Sequence, residues 1–198
     1  MSGKPFAESC ERNQQPILAK IKSLLVPKDK VLEIGSGTGQ HAVFFAQNLP
    51  EITWYTSDLP ENHAGIQAWI SDANLDNVVQ PFPLDLLNDS LPEEKFNCIF
   101  SANTAHIMPW AAVEKMYQCA GEVLLSGGLL ILYGPFNYQG EYTSESNRRF
   151  DQWLKSRFSH QGIRNFEALQ DLARNNSLSL RHDYEMPANN RILVWQRE

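Results

Sequence analysis

The stretch from Val31 to Ala42 constrains the fold more than any other part of the chain. An apolar segment ends at Ile34, alternate glycines occupy positions 35, 37 and 39, and a helical pattern begins at His41. Glycines permit positive φ angles and let a ligand approach the backbone, and a helix start carries unpaired N–H groups. This order of strand, tight turn and helix predicts a corner that binds a nucleotide-like ligand.

The spacing of these glycines separates two classes of ligand. A dinucleotide fingerprint, G-x-G-x-x-G, would require glycine at position 40, which is Gln40. The pattern is instead E-x-G-x-G-x-G, beginning at Glu33, and it resembles the S-adenosylmethionine (AdoMet) loop of class I methyltransferases. A glycine-rich turn without a ligand is the alternative, and the features after the loop favour a ligand.

The composition predicts one globular domain without a nucleic-acid or membrane partner. The 198 residues are 42% hydrophobic and 20% charged, with a net charge of −6. Such a length buries a substantial core, no apolar run approaches a membrane span, and no dense Lys/Arg run marks a nucleic-acid surface. We therefore expect a single domain over residues 1–198, in which residues 1–28 form an N-terminal arm and helix that cover the site.

Cysteine usage predicts a cytoplasmic protein. Cys10, Cys98 and Cys119 are odd in number and lack C-x-x-C spacing, which argues against a disulfide framework or a zinc site. Cys98 and Cys119 lie in apolar patterns that indicate burial. The first residues lack the apolar core of a signal peptide. Because no metal-ligand cluster has convincing spacing, we also expect metal independence.

Strand-like and helical segments alternate, which predicts an α/β fold with a mostly parallel sheet. The predicted strands are 30–34, 52–57, 78–84, 96–102, 129–133, 178–184 and 191–196. The predicted helices are 17–25, 42–49, 62–74, 109–125, 145–158 and 165–175. The last two strands alternate like an antiparallel pair, and residues 126–128 are expected to turn the chain into the fifth strand. Residues 134–145 are expected to form a polar lid. Seven strands with the last one antiparallel, and helices on both faces, match the Rossmann-like class I methyltransferase fold.

Two aspartates follow predicted strands, where ligands bind in open α/β sheets. Asp58 stands nineteen residues after Gly39, a spacing that suits an acceptor for ribose hydroxyls, with a helix cap as the alternative. Asp85 closes the third strand. The resemblance to class I enzymes implies that its carboxylate meets the adenine amino group, and a turn aspartate is the alternative.

A buried carboxylate is costly unless it is paired, so Glu33 needs a partner at its strand end. The resemblance places this acid near the methionine end of AdoMet, either in contact with it or through another group. His41 is expected to cap the helix or line the site. The full set of predicted cofactor-binding residues is Arg12, Asn13, Glu33, Gly35, Ser36, Gly37, Gly39, Asp58, Leu59, Asp85, Leu86 and Asn103.

The segment after the fourth strand carries the candidate catalytic groups. Asn103 offers a carbonyl and an amide in one side chain. His106 is a candidate general base, because an ordinary histidine pKa near 6.5 allows it to accept a proton at neutral pH, and a structural histidine is the alternative. Tyr133, at the end of the fifth strand, completes the predicted catalytic set.

Motifs along nearly the whole chain resemble the methyltransferase-like protein 26 family of class I methyltransferases. They comprise Glu11–Asn13, Leu32–His41, Asn103 with His106–Trp110, Tyr133–Phe136, Ser146–Asn147 with Phe150–Asp151, Gly162–Arg164 and Met186–Asn190. The resemblance implies the fold and the use of AdoMet, with S-adenosylhomocysteine (AdoHcy) as product, and it names no substrate. It adds a polar cluster around the end of the fifth strand and its lid, which comprises Tyr133, Asn137, Asn147, Arg148, Asp151 and Arg164.

Two functions remain open from the sequence. The first is an enzyme that transfers the methyl group of AdoMet to an oxygen, nitrogen or sulfur atom of a small-molecule acceptor. The second is a non-catalytic AdoMet- or AdoHcy-binding module or scaffold, which would keep the glycine loop and Asp58 without an acceptor site. A nicotinamide-dependent dehydrogenase is disfavoured by Gln40 and by a length that allows one domain.

Overall fold

The computed structural model describes residues 4–198. The chain divides into two compact units, one that extends to Phe100 and one that begins at Ser101. Among the described residues, no helix has the length and apolar character needed to cross a membrane.

The first unit alternates helices and parallel strands. Its elements are α1 (Glu8–Ile21), β1 (Lys30–Ile34), α2 (Gln40–Asn48), β2 (Thr53–Asp58), α3 (Pro60–Ala73), β3 (Val78–Pro83) and most of β4 (Phe96–Ala102). β1 pairs in parallel with both β2 and β4, and β2 pairs in parallel with β3. An aromatic core lies behind the end of β1, where the rings of Phe45, Trp54 and Phe100 pack with centroids 5.3–5.7 Å apart.

The second unit contains the antiparallel part of the fold. Its elements are α4 (Trp110–Val123), β5 (Leu124–Gly134), β6 (Phe136–Asn137), α5 (Glu145–Arg157), β7 (Arg164–Asn165), α6 (Phe166–Asn175), β8 (Leu178–Met186), a 3₁₀ turn (Pro187–Asn189) and β9 (Asn190–Arg197). β9 pairs antiparallel with β5 and with β8, and the short strands β6 and β7 pair in parallel.

The strand order confirms the predicted fold class. The main sheet has seven strands in the order β3-β2-β1-β4-β5-β9-β8, and β9 is its antiparallel member. The bounds of β1 and β4 agree with the prediction at both ends. Alternation of strand and helix therefore determined the architecture, as expected for a chain with strong periodicity.

Two predicted elements, the first helix and the fifth strand, differ from the structure by more than two residues, whereas the bounds of the other predicted elements lie within two residues of the observed ones. The first helix begins at Glu8, not at residue 17, and it contains Pro16, where a predicted helix would stop for lack of a backbone donor. β5 begins at Leu124, so the expected turn at 126–128 does not occur. Gly127 adopts a φ of 78°, and its carbonyl accepts a hydrogen bond from Gln196 Nε2 of β9 at 2.8 Å. Contacts with a distant strand thus carry β5 through the glycines.

The predicted lid, residues 134–145, is tied to the second unit at several points. Phe136 and Asn137 are buried and pair with β7. The hydroxyl of Tyr138 donates to Asp183 Oδ2 at 2.8 Å, and that of Tyr142 donates to Asp151 Oδ2 at 2.6 Å. Much of the polarity of this segment therefore serves internal hydrogen bonds.

Gly121 of α4 lies against the backbone of Asn176, which caps α6. A Cβ at this position would stand 2.9 Å from the Asn176 carbonyl oxygen. Replacing a helical glycine with alanine usually stabilises a protein by about 0.5–1 kcal/mol. We expect Gly121→Ala to destabilise instead, by about 1–3 kcal/mol, because the backbone must move. Denaturant unfolding measures this change. The exposed neighbour Gln118→Ala serves as control and should change stability by less than about 0.5 kcal/mol. A gain in stability for Gly121→Ala would contradict the contact.

Candidate functional site

The glycine loop leaves open space beside Gly37. Gly35, Gly37 and Gly39 have φ angles of 74°, 59° and 89°, values that disfavour other residues. A Cβ on Gly39 would stand 2.9 Å from the Cα of Ile66 in α3, so this glycine permits helix packing. A Cβ on Gly37 would meet no heavy atom within 4 Å. Gly39 therefore allows the loop to pack against α3, and Gly37 lies beside open space that could hold a ligand.

The carboxylate of Asp58 holds the loop to the end of β2. Its Oδ2 accepts from the Gly37 N–H at 2.6 Å, and its Oδ1 accepts from Leu59 N and from Asn62 Nδ2, both at 2.7 Å. A carboxylate offers about four acceptor positions, so these three donors leave about one for a ligand hydroxyl. The N-cap residue of α3 is Leu59, not Asp58, and no side chain among the described residues caps this helix. The backbone N–H next to α3 that donates to the Asp58 carboxylate is that of Leu59. The ribose role of Asp58 stays a prediction.

Glu33 is buried at the end of β1, with 1% of its surface exposed. Its Oε2 accepts from the indole Nε1 of Trp54 at 3.1 Å. Burial raises the pKa of Glu33 to about 7, hydrogen bonds from Trp54 and Ser36 oppose the rise, and the charge of Asp58 adds to it. Near neutral pH this carboxyl is therefore poised between its neutral and charged forms, and a nearby cation would favour the charged form.

The N-terminal arm contacts α2 directly. The Ala7 N–H donates to Gln40 Oε1 at 2.6 Å, and Asn13 Oδ1 lies 2.6 Å from Nε2 of His41. His41 stacks on Phe45, and burial lowers its pKa to about 4, so it is neutral at pH 7. Because a carbonyl oxygen only accepts, Nε2 donates in this pair. Asn13 and His41 thus join α1 to the helix that follows the glycine loop.

The remaining residues of the predicted cofactor set occupy different surroundings. Arg12 is exposed and pairs with Glu8 at 3.0 Å. Ser36 is buried and its Oγ accepts from Ser57 N at 3.2 Å. Leu59 is 38% exposed beside Asp58. The structure thus brings Asn13, Ser36, the loop glycines, Glu33 and Asp58 into connected parts of the first unit, and it leaves the Arg12 side chain facing outward.

Asp85 lies in a turn after β3 and Leu86 beside it is buried. The two oxygens of Asp85 accept from Leu87 N at 2.9 Å and from Asn88 Nδ2 at 2.7 Å, and these bonds hold its pKa below the ordinary value. This local pattern is that of a turn aspartate, the alternative to an adenine contact. The adenine role stays a prediction.

The predicted catalytic residues meet around Gly134 in the second unit. Asn103 has a φ of 59°, and its N–H donates to the Tyr133 carbonyl at 2.8 Å. A Cβ on Gly134 would lie 3.6 Å from Nδ1 of His106 and 3.7 Å from Oδ1 of Asn103. Both polar atoms therefore lie close to Gly134, at ordinary van der Waals distance from the position of a Cβ. Tyr133 is itself 5% exposed.

His106 is more deeply buried than the sequence suggested. It is 5% exposed and packs edge-on against Phe150 at 5.3 Å. Burial, and then the charge of Arg164, lower its pKa to about 4. The imidazole is therefore neutral at pH 7, as a base must be, and its basicity is well below that of an ordinary histidine.

Some participants were missed by the sequence analysis. Trp54 supplies the hydrogen bond to buried Glu33, and Asn62 supplies one to Asp58. Neither residue belongs to a recognisable motif, because a tryptophan in a strand and an asparagine in a helix are both common. In the β1–β2 register Glu33 pairs with Thr56, and Trp54 lies two positions before Thr56 on the same strand. Knowledge of this register would therefore have pointed to Trp54 as a neighbour of Glu33. Within residues 4–198, no group of three or more His, Cys, Asp or Glu side chains is placed to hold a metal ion.

Comparison with solved structures places this fold among methyltransferases. An O-methyltransferase family protein from Burkholderia thailandensis matches with a TM-score of 0.83 and 16% identity over 96% of this chain and 58% of its own. An O-methyltransferase family 2 protein from Planctomyces limnophilus, solved with apigenin, matches at 0.81 and 13% over 96% and 60%. Human N-acetylserotonin methyltransferase, solved with AdoMet, matches at 0.78 and 13% over 96% and 53%.

These similarities show that the chain has the class I methyltransferase fold. It spans little more than half the length of the proteins it matches. A family model described as protein of unknown function (DUF938) matches residues 4–197. The chain belongs to that family.

The open side of Gly37 generates a test of the ligand site. Gly37→Val would place a branched side chain in the open space, and we expect it to weaken AdoMet binding at least tenfold, about 1.4 kcal/mol. The control is Gly140→Val. Gly140 also has a positive φ, 78°, and no atom within 4 Å of a Cβ, so it introduces similar backbone strain elsewhere. Calorimetric titration with AdoMet, with circular dichroism as a check on folding, measures both. Equal affinities in the two variants would place the ligand elsewhere.

Proposed function

We propose that this protein is an AdoMet-dependent methyltransferase that acts on an oxygen, nitrogen or sulfur atom of a small-molecule acceptor. The observation that carries the proposal is the glycine loop, with Gly37 open and anchored by Asp58, in a chain with the class I methyltransferase fold. The resemblance to the methyltransferase-like protein 26 family supports the same activity. The proposal treats residues 1–198 as one domain.

The residues of the first unit suit AdoMet chemically. The space beside Gly37 lets a ligand approach the backbone closely, and Asp58 keeps about one acceptor position for a hydroxyl group. The exposed Leu59 side chain offers an apolar surface for an adenine ring. Glu33, with a pKa of about 7, would gain negative charge beside a cation. When bound, AdoMet supplies a methyl group on a positively charged sulfur as the electrophile.

In the second unit, Asn103, His106 and Tyr133 are the groups proposed to serve the acceptor. His106 would take the proton of the acceptor as that atom bonds to the methyl carbon and the bond from carbon to sulfur breaks, its electron pair remaining on sulfur. A base with a pKa of about 4 is weak. It suits an acidic hydroxyl or a thiol better than an aliphatic alcohol, because proton transfer is efficient when the two pKa values are close.

A panel of acceptors tests the proposed activity. The protein is first titrated with AdoMet, AdoHcy and a nicotinamide dinucleotide, and we expect binding of the first two only. It is then incubated with isotopically methyl-labelled AdoMet and a panel of phenols, thiols, amines and aliphatic alcohols. Mass spectrometry should find label in phenols or thiols. AdoMet binding without any labelled product, including from a metabolite extract, would favour the non-catalytic binding module. Absence of AdoMet binding would overturn the proposal.

The proposed base yields a second test. His106→Ala should keep AdoMet affinity and lower turnover of the acceptor found above by about 100-fold. The control is His182→Ala, because His182 stacks on Tyr184 at 4.9 Å and has an exposed side chain. Unchanged turnover in His106→Ala would remove His106 from the mechanism.

The pH profile follows from the low pKa of His106. At saturating AdoMet, whose positive charge would keep Glu33 charged below its pKa of about 7, wild-type turnover should stay level as the pH falls through the ordinary histidine value of about 6.5. The reason is that the His106 imidazole is protonated only near pH 4. Turnover should then decline toward about pH 4. Buried neutral histidines also cost stability as pH falls, because the unfolded chain takes up protons below about 6.5. Circular dichroism across the same range separates loss of fold from loss of base. A midpoint near 6.5 would contradict the structure.

A further inference from the structure

His106 lies in a turn with little internal support. We call residues 104–108 the His106 turn, in which the N–H groups of Ile107 and Met108 donate to the Thr104 carbonyl at 2.9 and 3.1 Å. The turn lies between β4 and α4 and is not part of either element. The carbonyls of Ala105, His106 and Met108 accept no bond from within the turn, so other residues must hold them.

All three of these carbonyls accept hydrogen bonds from one short segment. The Gly162 N–H donates to the His106 carbonyl at 2.9 Å. Arg164 donates from Nε to the Ala105 carbonyl at 2.9 Å and from Nη2 to the Met108 carbonyl at 2.6 Å. Since a guanidinium is a rigid planar fork, two simultaneous bonds fix the spacing and orientation of the carbonyls they join.

Asp151 of α5 anchors the donor segment. Its Oδ1 accepts from the Ile163 N–H at 2.7 Å, between the two residues that grip the turn. Its Oδ2 accepts from the Tyr142 hydroxyl and from Lys155 Nζ, both at 2.6 Å. Burial alone would raise the pKa of Asp151, but the bonds from Lys155, Tyr142 and Ile163 lower it, so the group is charged at neutral pH. A Cβ on Gly162 would lie 3.0 Å from Asp151 Oδ1, which explains the glycine.

The same helix also touches the imidazole ring. Phe150, the residue before Asp151, packs edge-on against the ring of His106. α5 therefore acts on His106 in two ways, directly through Phe150 and indirectly through Asp151 and the segment 162–164.

We infer that Arg164 and Asp151 are positioning residues, which hold the His106 turn through its three carbonyls and so set the location of the imidazole beside Asn103 and Gly134. The inference rests on the proposed function, because the role of His106 as base belongs to it. The charge of Arg164 acts on the pKa of His106, and Arg164 interacts electrostatically with both Asp151 and Lys155. Neither positioning residue needs to touch the acceptor.

Nuclear magnetic resonance of ¹⁵N-histidine-labelled protein tests the inference without an acceptor. Long-range proton–nitrogen spectra report the tautomer, surroundings and pKa of each imidazole, and His106→Gln assigns the His106 signals. The variants are Arg164→Gln, Arg164→Lys and Asp151→Asn. The matched control is Arg191→Gln, which removes a guanidinium elsewhere in the second unit, where Arg191 Nε lies 2.7 Å from Asp183 Oδ1 and both side chains are 21% exposed.

We expect Arg164→Gln to shift the His106 signals and to raise the pKa of the imidazole, because the nearby charge is lost. Arg164→Lys should shift the signals but leave the pKa low, because an ammonium keeps the charge and cannot bridge both carbonyls. Asp151→Asn should shift the signals as well. Arg191→Gln should lower the melting temperature while leaving the His106 signals in place, which separates positioning from general stability.

Unchanged His106 signals in both Arg164 variants would overturn the inference. If Arg164→Gln does not fold, the lysine variant decides: wild-type signals there would show that the two-carbonyl grip does not place the ring. Calorimetric titration of the same proteins with AdoMet keeps the two proposals apart. If the wild-type protein does not bind AdoMet, the proposed function is overturned. The His106 signals test the positioning of the imidazole whether or not AdoMet binds.

Discussion

The hydrogen bond from the Gly37 N–H to Asp58 Oδ2 links the two parts of the first unit on which its proposed activity depends. β1 and β2 pair in parallel with Ile34 opposite Ser57, so Asp58 arrives just beside the glycine loop. A charged acceptor on a backbone N–H is among the stronger hydrogen bonds in proteins. This bond holds Gly37 at a positive φ with its open side outward. The register of β1 and β2 and the Asp58 carboxylate thus act together on the geometry of the loop.

Burial, more than residue type, determines the electrostatics of the candidate groups. Glu33, His41 and His106 are all removed from water, and each shifts toward its neutral form, with pKa values of about 7, 4 and 4. Asp151 is equally buried yet remains charged, because three donors converge on it. The difference is whether the chain supplies hydrogen bonds that replace those of water. A charged anchor and a neutral base can thus occur within the same unit.

The fold and the positions of several site residues could be predicted because they depend on local patterns. Alternating apolar segments predicted β1 and β4 to the residue. The same reasoning failed for β5, since Gln196 and Arg197 of β9 bind carbonyls in its first half. It also failed for α1, where Pro16 lies inside the helix. In both cases contacts or conformations outside the local window override the residue preferences on which such predictions depend.

The sequence by itself determined the order of strands and helices, the glycine loop, and the acids and histidine that follow the strands. These features are written in spacing and periodicity, which need no knowledge of distant contacts. Only the tertiary structure decided the partners: Trp54 for Glu33, Gly37 for Asp58, and Arg164 for the turn around His106. It also decided that His106 has a low pKa, because desolvation depends on every residue packed around the ring, and packing is a property of the folded chain.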